Sequence, residues 1–377
     1  MTRISARLFI ACAIASLFGG VLQAIEVAPF TIPSARLSAL GGTHAALTDD
    51  FSALFTNPAG FAGVEKELSV AELTVSVYGP IFEIADLAGS DTFDLSGIVG
   101  DNGTYAGFDI GGPLSLGWVG NGLGFGLFNS SSLDGIATGA GVRATASEDF
   151  LVVGGYAFRF EPAEAHLVDA GFLVKGFLRG MMELESSLLS VTDLFTGSLM
   201  SDRPFASVMG LGFDLGLRYE YDRTLAVGLV CRDVYSPALV SAFASASDFF
   251  SGAQAIDSGS SGKIDPRLDM GIAYYPRFER LERYVTNLVF LLDYRDFLDL
   301  FALIPRHPIL NVSFGTEVVV LDALSLRLGI ADALPCAGFG LDLKFAQFDF
   351  AMRGIELGLD PGVNPVLAMD IGLLFRY

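Results

Sequence analysis

Leu367-Ala-Met-Asp-Ile-Gly-Leu-Leu-Phe-Arg-Tyr377, the last eleven residues, alternate almost without a fault. Leu367, Met369, Ile371, Leu373, Phe375 and Tyr377 fall on one face. Ala368, Asp370, Gly372, Leu374 and Arg376 fall on the other. Only a β-strand puts every second side chain on the same side. One face is apolar or aromatic throughout, and the stretch closes on an aromatic residue. A strand of about ten residues, greasy outside and mixed inside, is the unit of transmembrane β-barrels.

Other stretches repeat the pattern. Leu211, Phe213, Leu215, Leu217, Tyr219 and Tyr221 oppose Gly212, Asp214, Gly216, Arg218 and Glu220. Leu225, Val227, Leu229 and Cys231 oppose Ala226, Gly228, Val230 and Arg232. Leu324, Leu326, Leu328 and Ile330 oppose Ser325, Arg327 and Gly329. In residues 168–178, Asp169, Gly171 and Lys175 face inward. The mixed faces carry Gly and charges of both signs, which suits a filled or wet barrel lumen. Asn121-Gly122 between two β-like runs is a strong hairpin signal.

Fifteen segments qualify as strands: 68–78, 114–120, 122–129, 136–146, 150–160, 168–179, 207–220, 225–233, 266–275, 284–294, 310–320, 324–331, 338–345, 347–356 and 367–377. Bacterial barrels prefer even numbers. The expected fold is therefore an all-β transmembrane antiparallel barrel of about fourteen strands over residues 67–377. Breaks at 181–204, 236–266 and 295–308 read as long loops, with tight turns at the opposite end. The runs 188–199 and 238–250 are too apolar for solvated loops. They read either as a collector for an apolar ligand or as short helices packed over the barrel mouth.

Residues 1–24 have the layout of a secretory signal peptide. Arg3 and Arg7 precede the apolar stretch 8–18, and small residues lead to a cut after Ala24. Lipidation at Cys12 is the rival, with only four apolar residues ahead of it. Cleavage removes two of the 23 basic residues and none of the 43 acidic ones, so the charge of −20 becomes −22. Such a surface repels nucleic acid and argues against an anion pore. Mean hydropathy is +0.51, yet no mature stretch reads as a membrane helix. Residues 110–133 are long enough but crowded with glycine. A barrel removes the conflict by spreading its apolar residues over alternate positions.

Residues 25–66 break the alternation. Residues 34–48 are small and apolar, Asp49-Asp50 suits the cap of a short helix over 51–56, and Asn57-Pro58-Ala59-Gly60 stops it. Such a segment is too hydrophobic for a free tail, and the barrel lumen is the place available to it. Ser38-Ala-Leu-Gly-Gly-Thr-His-Ala-Ala-Leu-Thr-Asp-Asp50 followed by Ser52-Ala-Leu-Phe-Thr-Asn-Pro-Ala-Gly-Phe61 resembles the N-terminal hatch of FadL-like outer-membrane proteins, the long-chain fatty-acid transporters and their hatch-bearing relatives.

The resemblance implies a fourteen-stranded barrel plugged by residues 25–66. Hydrophobic ligands would bind inside and leave through an opening in the wall. Asn57, Pro58 and Ala59 match the family's Asn-Pro-Ala element and, with Gly60, are the expected gating motif. Long-chain fatty acid or a similar lipid is the implied ligand. Secretion-associated shuttle proteins share such a hatch, so a non-transporting assembly role stays open beside a general porin. No ligand contact can be carried over.

Catalytic and metal chemistry has little support. His44, His166 and His307 pair with no nucleophile motif, and Cys231 and Cys336 have no metal spacing. No cofactor and no enzymatic activity are expected. The expected surroundings are outer-membrane lipid, a hydrophobic small molecule and, through the C-terminal strand, the barrel assembly machinery.

Overall fold

Alternating side chains make each strand, and pairing with the next strand in the chain makes the wall. The computed structural model describes residues 25–64, 66–83, 103–187, 203–278 and 284–376. The signal-peptide region, the run 188–199 and Tyr377 lie outside the described residues. Among the described residues the barrel strands begin with β1 (Glu67–Gly79), β2 (Thr104–Gly120), β3 (Leu123–Thr138), β4 (Gly141–Ala163) and β5 (His166–Ser186). β6 (Phe205–Tyr221) leads to β7, which is Leu225–Tyr235 continued by Pro237–Phe243. β8 is Asp257–Lys263 continued by Arg267–Tyr274. Then come β9 (Val285–Tyr294), β10 (Val312–Val320), β11 (Leu324–Ala331), β12 (Leu334–Asp342), β13 (Ala346–Glu356) and β14 (Pro365–Arg376).

Each strand pairs antiparallel with the next, and β14 returns to β1 with Ile371 opposite Val75. The result is a closed barrel of fourteen strands. The ring leaves no long sheet edge for another chain to join.

The extra sequence candidate was 136–146. There the chain makes a two-residue turn at Gly139-Ala140, and β3 and β4 simply run on to meet it. The alternation crossed a turn unnoticed because both strands are longer than expected. Nor is the stretch 236–266 a loop throughout. Small residues mask the continuation of β7 and β8, and Ser245 caps a short helix, α1 (Ala246–Ser251), which ends at Gly252 with φ 74°. Phe249 of α1 stacks on Phe205 and Phe243, while Phe250 stays exposed. The candidate at 338–345 begins four residues earlier and ends three earlier, because Leu343-Lys344-Phe345 is a turn with Lys344 at φ 70°.

One end of the barrel has tight turns. Asn121 (φ 52°) and Gly122 (φ 82°) form one of them, in the left-handed geometry that suits twisted hairpins. Most of the longer connections lie at the opposite end, together with the tight turns Gly139-Ala140 and Asp332-Ala333, while the ten residues 275–284 join β8 to β9 at the first end. Strand lengths differ around the ring: β4 has 23 residues, whereas β9 to β12 have 8 to 10.

The outer surface is apolar. Val152, Leu215, Leu292, Leu328 and Ile371 are each about half exposed, whereas inward neighbours such as Ala226, Ala273, Asp293 and Asp370 are buried. Trp118, Tyr156, Phe158, Tyr221, Tyr274 and Phe345 gather toward the tight-turn end, as in the aromatic girdle of membrane barrels. No helix among the described residues is long and apolar enough to cross a membrane. The chain crosses with strands, and such a barrel belongs to the outer membrane.

The ladder has one seam. β9 reaches only Tyr294, opposite Met270. Beyond that point the Asp257–Lys263 half of β8 pairs with β7 on one side and has no β9 beside it. Its free side instead takes the two-residue strand Ile25–Glu26, in parallel, with Ile25 facing Gly262 and Glu26 facing Lys263. Val27 N–H donates to Lys263 O at 2.8 Å.

Ile371→Arg places a charge on the outer face at mid-strand. The expected loss is about 2–4 kcal/mol of barrel stability near the bilayer midplane, read from urea unfolding in lipid vesicles. Unchanged stability would mean that this face does not meet hydrocarbon.

Candidate functional site: the N-terminal segment and the cavity beside it

The chain from Val27 to Val64 lies inside the ring and is among its most buried parts. Ala39, Leu40, Ala46, Leu47, Ala53 and Ala59 have no exposed surface. It folds as a five-residue helix (Ala35–Ala39, capped by Ser34) and two 3-10 turns, Phe51–Leu54 and Pro58–Ala62. Asp50 caps the first turn through Ser52 N–H. Pro58 begins the second turn rather than ending a helix, because a proline at the first position gives up an N–H that has no partner there.

Asn57 is fully buried and uses its whole amide. Its Oδ1 accepts from Ala59 N–H at 3.0 Å, and its Nδ2 donates to Ala45 O at 2.7 Å and to Leu217 O of β6 at 3.3 Å. One side chain thus caps a turn, ties two parts of the segment together and fastens them to the wall. Pro58 and Ala59 lie against Gly171 and Gly216, and Gly60 lies against Thr48. The structure therefore brings Asn57, Pro58 and Ala59 to one contact with β5 and β6, while Gly60 packs within the segment.

The inward glycines explain how a folded segment fits. A Cβ at Gly216 would stand 2.0 Å from Asn57 Oδ1, one at Gly228 2.1 Å from Ala45 O, and one at Gly315 2.5 Å from Leu40 O. The wall is recessed where the segment's backbone approaches it.

Arginines from the wall hold the segment by its carbonyls. Arg232 donates to Phe55 O at 2.5 Å and Thr56 O at 2.7 Å, Arg218 to Ala46 O at 3.2 Å, and Arg179 to Ala28 O at 2.9 Å. In the other direction, Arg36 of the segment pairs with Glu317 at 2.8 Å, and Glu317 pairs with Arg327 at 2.6 Å. Arg36 also pairs with Asp49 and Asp50. Burial would raise the Asp50 carboxyl, but the Arg36 guanidinium and the Ser52 hydroxyl outweigh it and hold the group below its usual range. The inward places of Arg218, Arg232 and Arg327 were visible in the strand alternation, but nothing in the sequence marked what they would hold.

The histidines have structural partners. His44 Nδ1 lies 2.5 Å from Asp293 Oδ2 and Nε2 lies 2.8 Å from Leu40 O, both inside the protein. His166 meets the Tyr219 hydroxyl at 2.7 Å, and His307 caps the turn Pro308–Asn311. Among the described residues no group of three or more His, Cys, Asp or Glu could hold a metal ion.

Between the segment and the wall is a cavity of about 280 Å³. Phe30, Ile32, Phe55, Leu151, Val153 and Leu173 form its apolar side. Its other side carries charge, from Lys175, Asp214, Arg232 and Asp233 to Asp265, Arg267 and Asp296. Glu26 and Pro266 also line it, so the cavity runs from the middle of the wall to the seam at β8. No pattern in the sequence marks this space, because the residues around it come from distant parts of the chain.

The sequence matches no protein-family model and none of the curated proteins. The backbone is similar to several solved structures. One is the toluene transporter TodX of Pseudomonas putida, 13% identical, covering 94% of this chain and 98% of that one, TM-score 0.45. Another is the toluene transporter TbuX of Ralstonia pickettii, 13% identical over 94% and 99%, TM-score 0.48. A third is a Pseudomonas aeruginosa FadL homologue, 13% identical over 93% and 98%, TM-score 0.42. No residue role is transferred from any of them.

Asn57→Ala would leave two carbonyls and one N–H without their buried partner, at about 1–3 kcal/mol each. Gly216→Val would drive a side chain into Asn57. Either change is expected to expose residues 25–64 to protease while the strands stay protected and the barrel keeps its heat-modifiable mobility on gels. A segment as resistant as in the parent would show that this contact does not hold it.

Proposed function

We propose that the protein passes a hydrophobic small molecule across the outer membrane, with residues 25–66 as the hatch and Asn57, Pro58, Ala59 and Gly60 as the element around which it moves. The observation that carries the proposal is the amphipathic cavity reaching the seam in the wall. Ligand pockets join apolar walls to polar groups that fix orientation, and this cavity sets an apolar side against a heavily charged one. A solute would partition into it and be released when the Ile25–Glu26 strand leaves the edge of β8. Two backbone pairs are a small barrier compared with breaking a full strand ladder. No nucleotide motif was found in the sequence, so the solute's own gradient supplies the driving force.

Long-chain fatty acid is the solute implied by the resemblance over residues 38–61. Uptake of labelled oleate beside a labelled alkane of similar length tests that choice.

The gate is tested by locking it. Glu26→Cys with Lys263→Cys, in a background with Cys231→Ser and Cys336→Ser, places two thiols at facing positions of the parallel pair. The disulfide is expected to lower uptake at least about tenfold, and reductant to restore it, if release of the strand admits solute. Uptake unaffected by the closed disulfide would remove the seam from the route.

A further inference from the structure

We propose that the cavity takes a hydrophobic molecule with a cationic end, an alkyl or aryl ammonium, in preference to the carboxylate of a fatty acid. This rests on the reading above that the cavity holds the solute.

All three cations lining the cavity are already engaged. Lys175 Nζ stands 2.8 Å from Asp214 and 2.7 Å from Asp233. Arg232 Nε is 3.0 Å from Asp269, and its other nitrogens serve the carbonyls of Phe55 and Thr56. Arg267 Nε lies 3.2 Å from Asp269. A ligand carboxylate drawn to one of these cations would share it with the protein carboxylate already beside it, and the two like charges would repel each other in the cavity.

The acids are in excess. Glu26, Asp214, Asp233, Asp265 and Asp296 line the cavity against those three cations. Asp265 takes Lys263 at 2.6 Å on the exposed rim. Glu26 and Asp296 enter no ion pair among the described residues. Asp296 follows the last residue of β9 by two, and its backbone sits at φ 48°. Burial, then the charge of Asp269, push its carboxyl up against the opposing pull of Arg267. An ammonium group near Glu26 and Asp296 would find acceptor oxygens and opposite charge, with its carbon chain along Phe30, Ile32 and Phe55.

The test compares three probes of equal chain length, hexylamine, 1-hexanol and hexanoate, bound to the full-length protein in non-ionic detergent at neutral pH and followed by calorimetry. The expected order is amine, alcohol, carboxylate, with at least about a tenfold difference in Kd between the ends. Glu26→Gln with Asp296→Asn is expected to weaken the amine about fivefold or more and leave the alcohol unchanged. Ile32→Trp, which fills the apolar side, is expected to abolish binding of all three. Hexanoate binding as well as hexylamine, or an amine indifferent to the double substitution, overturns the charge preference while alcohol binding still supports the cavity as solute site. Alcohol binding that survives Ile32→Trp, or no binding by any probe, overturns both readings.

Discussion

Hydrocarbon offers no hydrogen-bond partner, so every backbone N–H and C=O of this wall must be satisfied within the protein. The return of β14 to β1 meets that demand around the ring, and the rest of the architecture follows from it. A closed ring has an inside. The inside must be filled or wet, and here it receives forty residues of the chain's own N-terminal region. The seam at β8 is where the constraint is met differently. There, part of the edge is satisfied by a two-residue strand that belongs to the filling rather than the wall.

Two residue types make that filling possible. Glycine removes the side chain wherever the segment's backbone touches the wall, as at Gly216, Gly228 and Gly315. Arginine then supplies donors to carbonyls that the irregular segment cannot pair by itself. Arg179, Arg218 and Arg232 each anchor a different stretch, so the segment is held at several separate points. Asn57 adds a contact that is both internal and external.

The membrane-facing half of the structure was legible because period-two alternation is a local property. The faces of β14, of β6 and of β11 could be read residue by residue, and Asn121-Gly122 announced its turn. The failures are also local in origin. Residues 136–146 alternate straight through the β3–β4 turn, and serine and glycine hid the continuation of β7 and β8 within 236–266. The interior was less readable for a different reason. Arg36 and Glu317 are 281 positions apart, and the cavity draws its lining from the N-terminal segment and five strands. No periodicity in sequence reports such meetings. Asn57 to Gly60 stood out as a motif, but the carbonyls they serve and the glycines they rest on became visible only with the strands in register.

The unequal strands have a mechanical meaning for the surrounding lipid. A strand needs about 9–11 residues to cross the hydrocarbon layer, and β9 to β12 supply 8 to 10, whereas β4 supplies more than twice that minimum. Hydrophobic mismatch on the short flank draws the two leaflets together there. The thinning is greatest beside β11, the shortest strand of that flank at eight residues.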